Sequence, residues 1–119
     1  MTKHDMVREA LEQAKAVDIV VLDVRLLTDI TDYMVIASGT STRHVTSMGR
    51  KVDEFLRERG HKSLGLEGLL GGEWVLIDFG DVVVHVMHPK ARAFYALEKL
   101  WSEEFGRTEE VRRESRPRL

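Results

Sequence analysis

The sequence predicts an α/β domain: a single mixed sheet of five strands flanked by about three helices, in the order α-β-β-α-β-β-β-α. Three observations carry this prediction. Segments rich in β-branched residues alternate with segments whose apolar residues recur at helical spacing. Residues 72–88, GEWVLIDFGDVVVHVMH, read as two strands folded back on each other at Gly80. A long helical pattern lies between the second and third strands, which calls for a right-handed parallel crossover joining them.

The first helix is expected over residues 3–16, where Val7, Ala10, Leu11, Ala14 and Val17 recur with charged residues between them. Residues 18–24 (DIVVLDV) form a strand, a turn follows through Thr28 to Thr31, and residues 32–38 (DYMVIAS) form the second. Their closeness in sequence predicts an antiparallel pair. Gly39-Thr40-Ser41-Thr42 opens a helix to about Arg59, with Thr40 or Ser41 as N-cap and Gly60 as the stop. Val45, Met48, Val52, Phe55 and Leu56 form its apolar stripe. Residues 63–67 are a short third strand, and the Gly-rich run 68–72 displays adjacent Leu69 and Leu70.

In the hairpin, Trp74, Leu76 and Asp78 face one way and Val75, Ile77 and Phe79 the other. Past the turn, Val82, Val84 and Val86 share a face opposite Asp81, Val83, His85 and Met87. Pro89 starts the last helix, whose apolar residues are Ala93, Phe94, Leu97, Leu100 and Trp101, and which ends near Phe105. The domain is thus expected over residues 1–105. Residues 106–119 read as a charged, Arg-rich, disordered tail.

At 119 residues the chain is one domain with enough length for a sizeable core. It contains no Cys, which excludes disulfides, Cys-ligated zinc and thiol nucleophiles. It has no stretch of transmembrane length and no apolar leader, so the expected compartment is the cytoplasm, with no membrane partner. The net charge of −2 is unevenly spread: five Arg against three Glu after residue 105 leave an acidic body. Such a body argues against a sequence-specific nucleic-acid module. Residues 63–88 hold no Lys or Arg, yet include Glu67, Glu73, Asp78 and Asp81. That surface suits a basic protein partner; the alternative is a core hairpin with acidic turn residues.

Catalytic readings find little support. Gly39-Thr40-Ser41 resembles the Gly-Ser step of nucleotidyltransferases, but that chemistry needs carboxylates converging on Mg²⁺. Asp78 and Asp81 flank a turn, and there is no Asp-x-Asp pair or complete phosphate loop. The other reading of Gly39-Thr40-Ser41 is a helix cap. Arg43-His44 sits in the first turn of a helix, where positive charge is unfavourable, so the pair either binds an acidic group or faces solvent. His85 and His88 fall on opposite strand faces, a poor metal pair, and His85 has no nucleophile beside it. No catalytic residue, metal or cofactor is assigned. Trp74 is either a binding residue on an open sheet face or core beneath a second helical layer.

Residues 32–44 (DYMVIASGTSTRH), residues 72–87 (GEWVLIDFGDVVVHVM) and residues 95–101 (YALEKLW) resemble the ribosomal silencing factor family, RsfS, also called Iojap-like. The resemblance spans roughly residues 7–101. It implies a nucleotidyltransferase-like fold without the catalytic site. It implies a translation repressor that binds the large ribosomal subunit through ribosomal protein L-fourteen and sterically blocks joining of the small subunit under nutrient limitation. It also implies a homodimer. The expected contact residues are Leu70, Trp74, Asp78, Asp81, His85 and Met87, with Tyr33, Arg43 and His44 either contacting the partner or organising the fold. The alternative function is a Mg²⁺-dependent nucleotidyltransferase-like enzyme. A further reading makes the Arg-rich tail an RNA-contacting arm.

Overall fold

A computed structural model of the chain describes residues 1–101 and the backbone of residues 112–113. Helix α1 (Lys3–Gln13) is followed by strands β1 (Val17–Asp23) and β2 (Tyr33–Ser38), helix α2 (Thr42–Glu58), and strands β3 (Gly65–Glu67), β4 (Trp74–Asp78) and β5 (Val82–Met87). Helix α3 (Pro89–Tyr95), a single turn α4 (Leu97–Lys99) and the two-residue strand β6 (Arg112–Arg113) complete the described elements. The expected five-strand α/β sheet is present, with β6 added at its edge. Apart from Arg112–Arg113, the expectation of a disordered tail over residues 106–119 lies outside the described residues.

Both long helices are specified at their ends. In α1, Thr2 accepts from Asp5 N–H while the Asp5 carboxylate accepts from Thr2 N–H, a reciprocal capping box. Its C-terminus closes earlier than expected, because Lys15 takes a left-handed conformation (φ 63°) and Ala16 N–H reaches back to Leu11 O. Helix α2 is capped by Ser41, whose Oγ accepts from His44 N–H at 3.1 Å. Gly60, at φ 90°, ends it as expected, and His61 N–H bonds Leu56 O.

The sheet order is β3-β4-β5-β2-β1-β6. The β1–β2 and β4–β5 pairs are antiparallel as expected. Strand β2 pairs in parallel with β5, in register from Tyr33↔Val82 to Ser38↔Met87. The third strand is therefore not the ladder partner of the second: α2 carries the chain past β5 and β4 to the far edge.

The two sheet faces bury two separate cores. Under α1 and α2 lie Val7, Leu11, Val45, Met48, Val52 and Leu56, packed on Val35, Val75, Ile77, Val84 and Val86, all fully buried. On the opposite face a smaller cluster of Leu22, Val24, Met34, Ile36 and Met87 receives Ala91, Leu97, Trp101 and Trp74. Large aliphatic burial at about 25 cal/mol per Å² makes the first core the main source of stability.

The last helix departs from its expected course. It is broken at Ala96, which sits at φ 48° in the left-handed region. Arg92 forms two hydrogen bonds to Glu98, 3.1 and 2.8 Å, and donates to Ser38 Oγ at 2.9 Å. This clamp holds the segment after the break against the sheet, with Leu97 and Trp101 turned into the second core. Phe94 and Tyr95 are left outside it, 80% and 50% exposed.

Candidate functional site

Strand alternation places Trp74, Leu76 and Asp78 of β4 on the same face as Val83, His85 and Met87 of β5, through the pairs Trp74↔Met87, Leu76↔His85 and Asp78↔Val83. Edge strand β3 adds Glu67 opposite Leu76. Among the described residues, those after His88 cover the end of this face around Trp74 and Met87. At the other end Leu76, Asp78 and Val83 are half-buried and Glu67 is exposed.

Trp74 is anchored rather than free. Its Nε1–H donates to His85 Nδ1 at 3.0 Å, and its ring lies 4.6 Å from Tyr95 and 5.8 Å from His85. Phe94 meets Tyr95 edge-on at 5.0 Å. Trp74, Tyr95 and Phe94 therefore run as an aromatic series from the second core outward to solvent. One side of Trp74 packs against the second core, and the residue remains partly exposed.

His85 is 5% exposed. Accepting from Trp74 at Nδ1 fixes its proton on Nε2, a buried atom with no partner among the described residues. Burial lowers its pKa from 6.5 to about 4, so the ring is neutral near pH 7. His85 thus supports Trp74 from beneath. Met87 is fully buried, and its side chain belongs to the second core instead of a surface.

The remaining expected contact residues are accessible but not clustered. Asp78 accepts from Gly80 N–H at 2.8 Å, shaping the hairpin turn, and stays half-exposed. Asp81 is exposed and ion-paired with Lys3 at 2.7 Å, which draws its pKa below the ordinary carboxylate value against the opposing effect of partial burial. Lys3 also donates to Phe79 O, so a cation from α1 covers the turn of the Lys- and Arg-free stretch. Leu70 is fully exposed, but it stands beside α2 on the other side of the sheet.

The Gly39–Ser41 segment is a helix cap. Gly39 N–H donates to Met87 O and Thr40 N–H to His44 Nδ1, so neither amide is presented to an anion. His44 Nε2–H in turn donates to Ala14 O at 2.8 Å, tying α2 to the end of α1. His44 therefore organises the fold. Tyr33 stacks on His4 at 4.0 Å and lies under the Arg25 guanidinium.

Phe94 and Tyr95 are the surface residues that the sequence reading missed as a site. No local signal marked them, since adjacent apolar residues such as Ala10 and Leu11 of α1 are commonly buried together in one helix stripe.

Residues 2–118 match the family described as ribosomal silencing factor during starvation. The chain belongs to that family. The match reaches further than the resemblance read over residues 7–101, and takes in the Arg-rich tail. The chain is 47% identical over 93 residues to the ribosomal silencing factor RsfS of Chromobacterium violaceum, covering 78% of this chain and 76% of the relative. It is 42% identical over 101 residues to the mouse protein named mitochondrial assembly of ribosomal large subunit protein 1, covering 82% of this chain and 44% of that one. A crystal structure of a Chromobacterium violaceum protein superposes with a TM-score of 0.83 at 44% identity, covering 84% of this chain and 83% of the other. The α/β fold of the silencing-factor family is therefore shared. In this member the accessible part of the sheet face holds Glu67, Asp78, Leu76 and Val83, beside the aromatic series of Trp74, Tyr95 and Phe94. Among the described residues, no helix is long and apolar enough to cross a membrane.

Proposed function

We propose that the protein is a cytoplasmic, non-enzymatic translation repressor. It docks on the large ribosomal subunit through basic ribosomal protein L-fourteen and blocks access of the small subunit by occupying the surface. The observation that carries this reading is the exposed acidic–aromatic face. Phe94 and Tyr95 extend outward from Trp74, while Glu67 and Asp78 stand on the same sheet face with no Lys or Arg between residues 63 and 88. Carboxylates favour encounter with a cationic partner, and desolvated aromatics slow dissociation. The names of the relatives, silencing factors and a large-subunit assembly protein, support the same target. His85 and Met87 act in this reading by holding Trp74 and the sheet face in place, not by touching the partner. A homodimer formed through the same face would compete with docking.

The test is co-sedimentation with purified large subunits. Trp74 is part of the core, so its truncation confounds binding with folding. Phe94→Ala combined with Asp78→Lys alters the surface while sparing the buried residues. The pair should weaken binding roughly 30-fold or more, taking about 2 kcal/mol as the loss for a hot-spot aromatic. Unchanged binding by a folded double variant rejects this face.

A further inference from the structure

The N-terminal half of α2 and the loop of residues 68–72 enclose an open groove of about 600 Å³ on the sheet side opposite the aromatic face. Arg43, Arg50 and Lys51 line it at spacings i, i+7 and i+8, which places all three on one helix face. All three are exposed and none has an ionic or hydrogen-bonding partner among the described residues. Among the described residues, no carboxylate lines the groove. The nearest acids along the helix are Asp53, which is buried and paired with Arg57, and Glu54, which with Glu58 opens onto a separate cleft that Lys51 borders. Thr42 and Ser47 add hydroxyls, and Leu69 and Leu70 form the loop wall.

Two further observations point to an anionic occupant. The first turn of α2 contains Arg43 and no acid, the reverse of what the helix dipole favours unless an anion lies alongside. The groove is also rigidly built. Thr46 Oγ1 donates to Leu69 O at 3.0 Å, and Gly72 lies so close to the helix that an added Cβ would meet Thr42 O at 2.6 Å. The loop wall is thus held in place before any ligand arrives.

We propose that this groove binds the phosphate backbone of double-stranded RNA, without reading bases. The eight steps from Arg43 to Lys51 span about 12 Å of helix axis, too far for one phosphate group but suited to charge repeated along a strand. Among the described residues no aromatic side chain lines the groove, so they offer no stacking platform of the kind found in single-strand sites. Cations with hydroxyls match the phosphate and 2′-hydroxyl contacts by which A-form duplexes are held. The patch is local on an acidic body, so the expected affinity is that of a non-specific contact. The assignment does not depend on the protein partner proposed above, because the RNA is presented alone.

The test uses the full chain and a fluorescein-labelled RNA hairpin of about twelve base pairs, with anisotropy read from 50 to 200 mM salt. Three neutralised phosphates give a slope of about −2.7 in log affinity against log salt, or roughly 40-fold weakening over that range. Arg43→Glu, Arg50→Glu and Lys51→Glu together should weaken binding at least tenfold at 50 mM and flatten the slope, with the melting temperature unchanged. A control with Lys15→Glu, Lys62→Glu and Lys90→Glu has the same net charge and should bind within about twofold of the parent. The tail arginines are common to all three proteins. Equal loss in both variants, no loss in the groove variant, tighter binding of a single strand of equal length, or tighter binding of poly-glutamate would each overturn the proposal.

Discussion

The neutral, buried His85 makes the fold acid-sensitive in a defined window. Its pKa is about 4 in the folded protein against 6.5 in the unfolded chain. The unfolded state therefore takes up the proton first as pH falls. The contribution of His85 is fully present above pH 6.5 and is lost as pH drops from 6.5 through about 4. At 1.36 kcal/mol per unit, the full loss is about 3 kcal/mol, of which about 2 kcal/mol is lost between pH 7.5 and 5. His85→Gln removes the titration yet keeps an oxygen that can accept from Trp74 Nε1–H. Urea unfolding followed by circular dichroism at pH 7.5 and 5.0 compares the two. The parent should lose about 2 kcal/mol more than the variant. The other four histidines are common to both proteins and cancel in the difference. Asp5 and Asp81 have folded pKa values below the ordinary 3.8, so stability tied to them is lost at lower pH. Equal pH dependence in the two proteins would refute the argument that His85 is buried neutral.

Gly68→Ala should destabilise by about 3 kcal/mol or more: Gly68 has φ 91°, and an added Cβ would lie 2.0 Å from Trp74 O. Gly71→Ala, with nothing within 4 Å, should stay within about 0.5 kcal/mol, and similar urea midpoints for both would contradict this contact. Arg92→Ala should cost about 2 kcal/mol, because Glu98 is only 20% exposed and would lose its partner. The same change releases the clamp on residues 97–101, so Trp101 fluorescence should shift to the red, whereas a spectrum like the parent's would show that packing alone holds the segment.

How far the sequence could be read depends on the range of each interaction. Each strand's two faces were legible because side chains alternate and one face must be apolar. Val75, Ile77 and Phe79 share a face of one hairpin arm and Val82, Val84 and Val86 a face of the other, as expected, and the fold buries both sets in the same core. The stripe and both ends of α2 were legible for the same local reason. The placement of β5 beside β2 was not, since nothing in either strand's pattern names its neighbour. Nor was the break at Ala96. Alanine is the best helix former, and its left-handed conformation arises where the Arg92 clamp and the burial of Leu97 and Trp101 outweigh local preference.

The candidate site divides along the same line. Motifs in residues 32–44 and 72–87 were enough to place the chain in its family, and composition was enough to mark residues 63–88 as lacking cations. Which of Leu70, Trp74, Asp78, Asp81, His85 and Met87 face outward was decided by the fold. The second core took Met87 and His85, Lys3 came from 78 residues away to meet Asp81, and Leu70 went to the opposite side of the sheet. The sequence alone determined the kinds of element, their faces and the family, because these rest on periodicity and local motifs. Tertiary structure alone decided the exposed aromatic series of Trp74, Tyr95 and Phe94 and the cationic groove of α2, because both arise from contacts between segments distant in the chain.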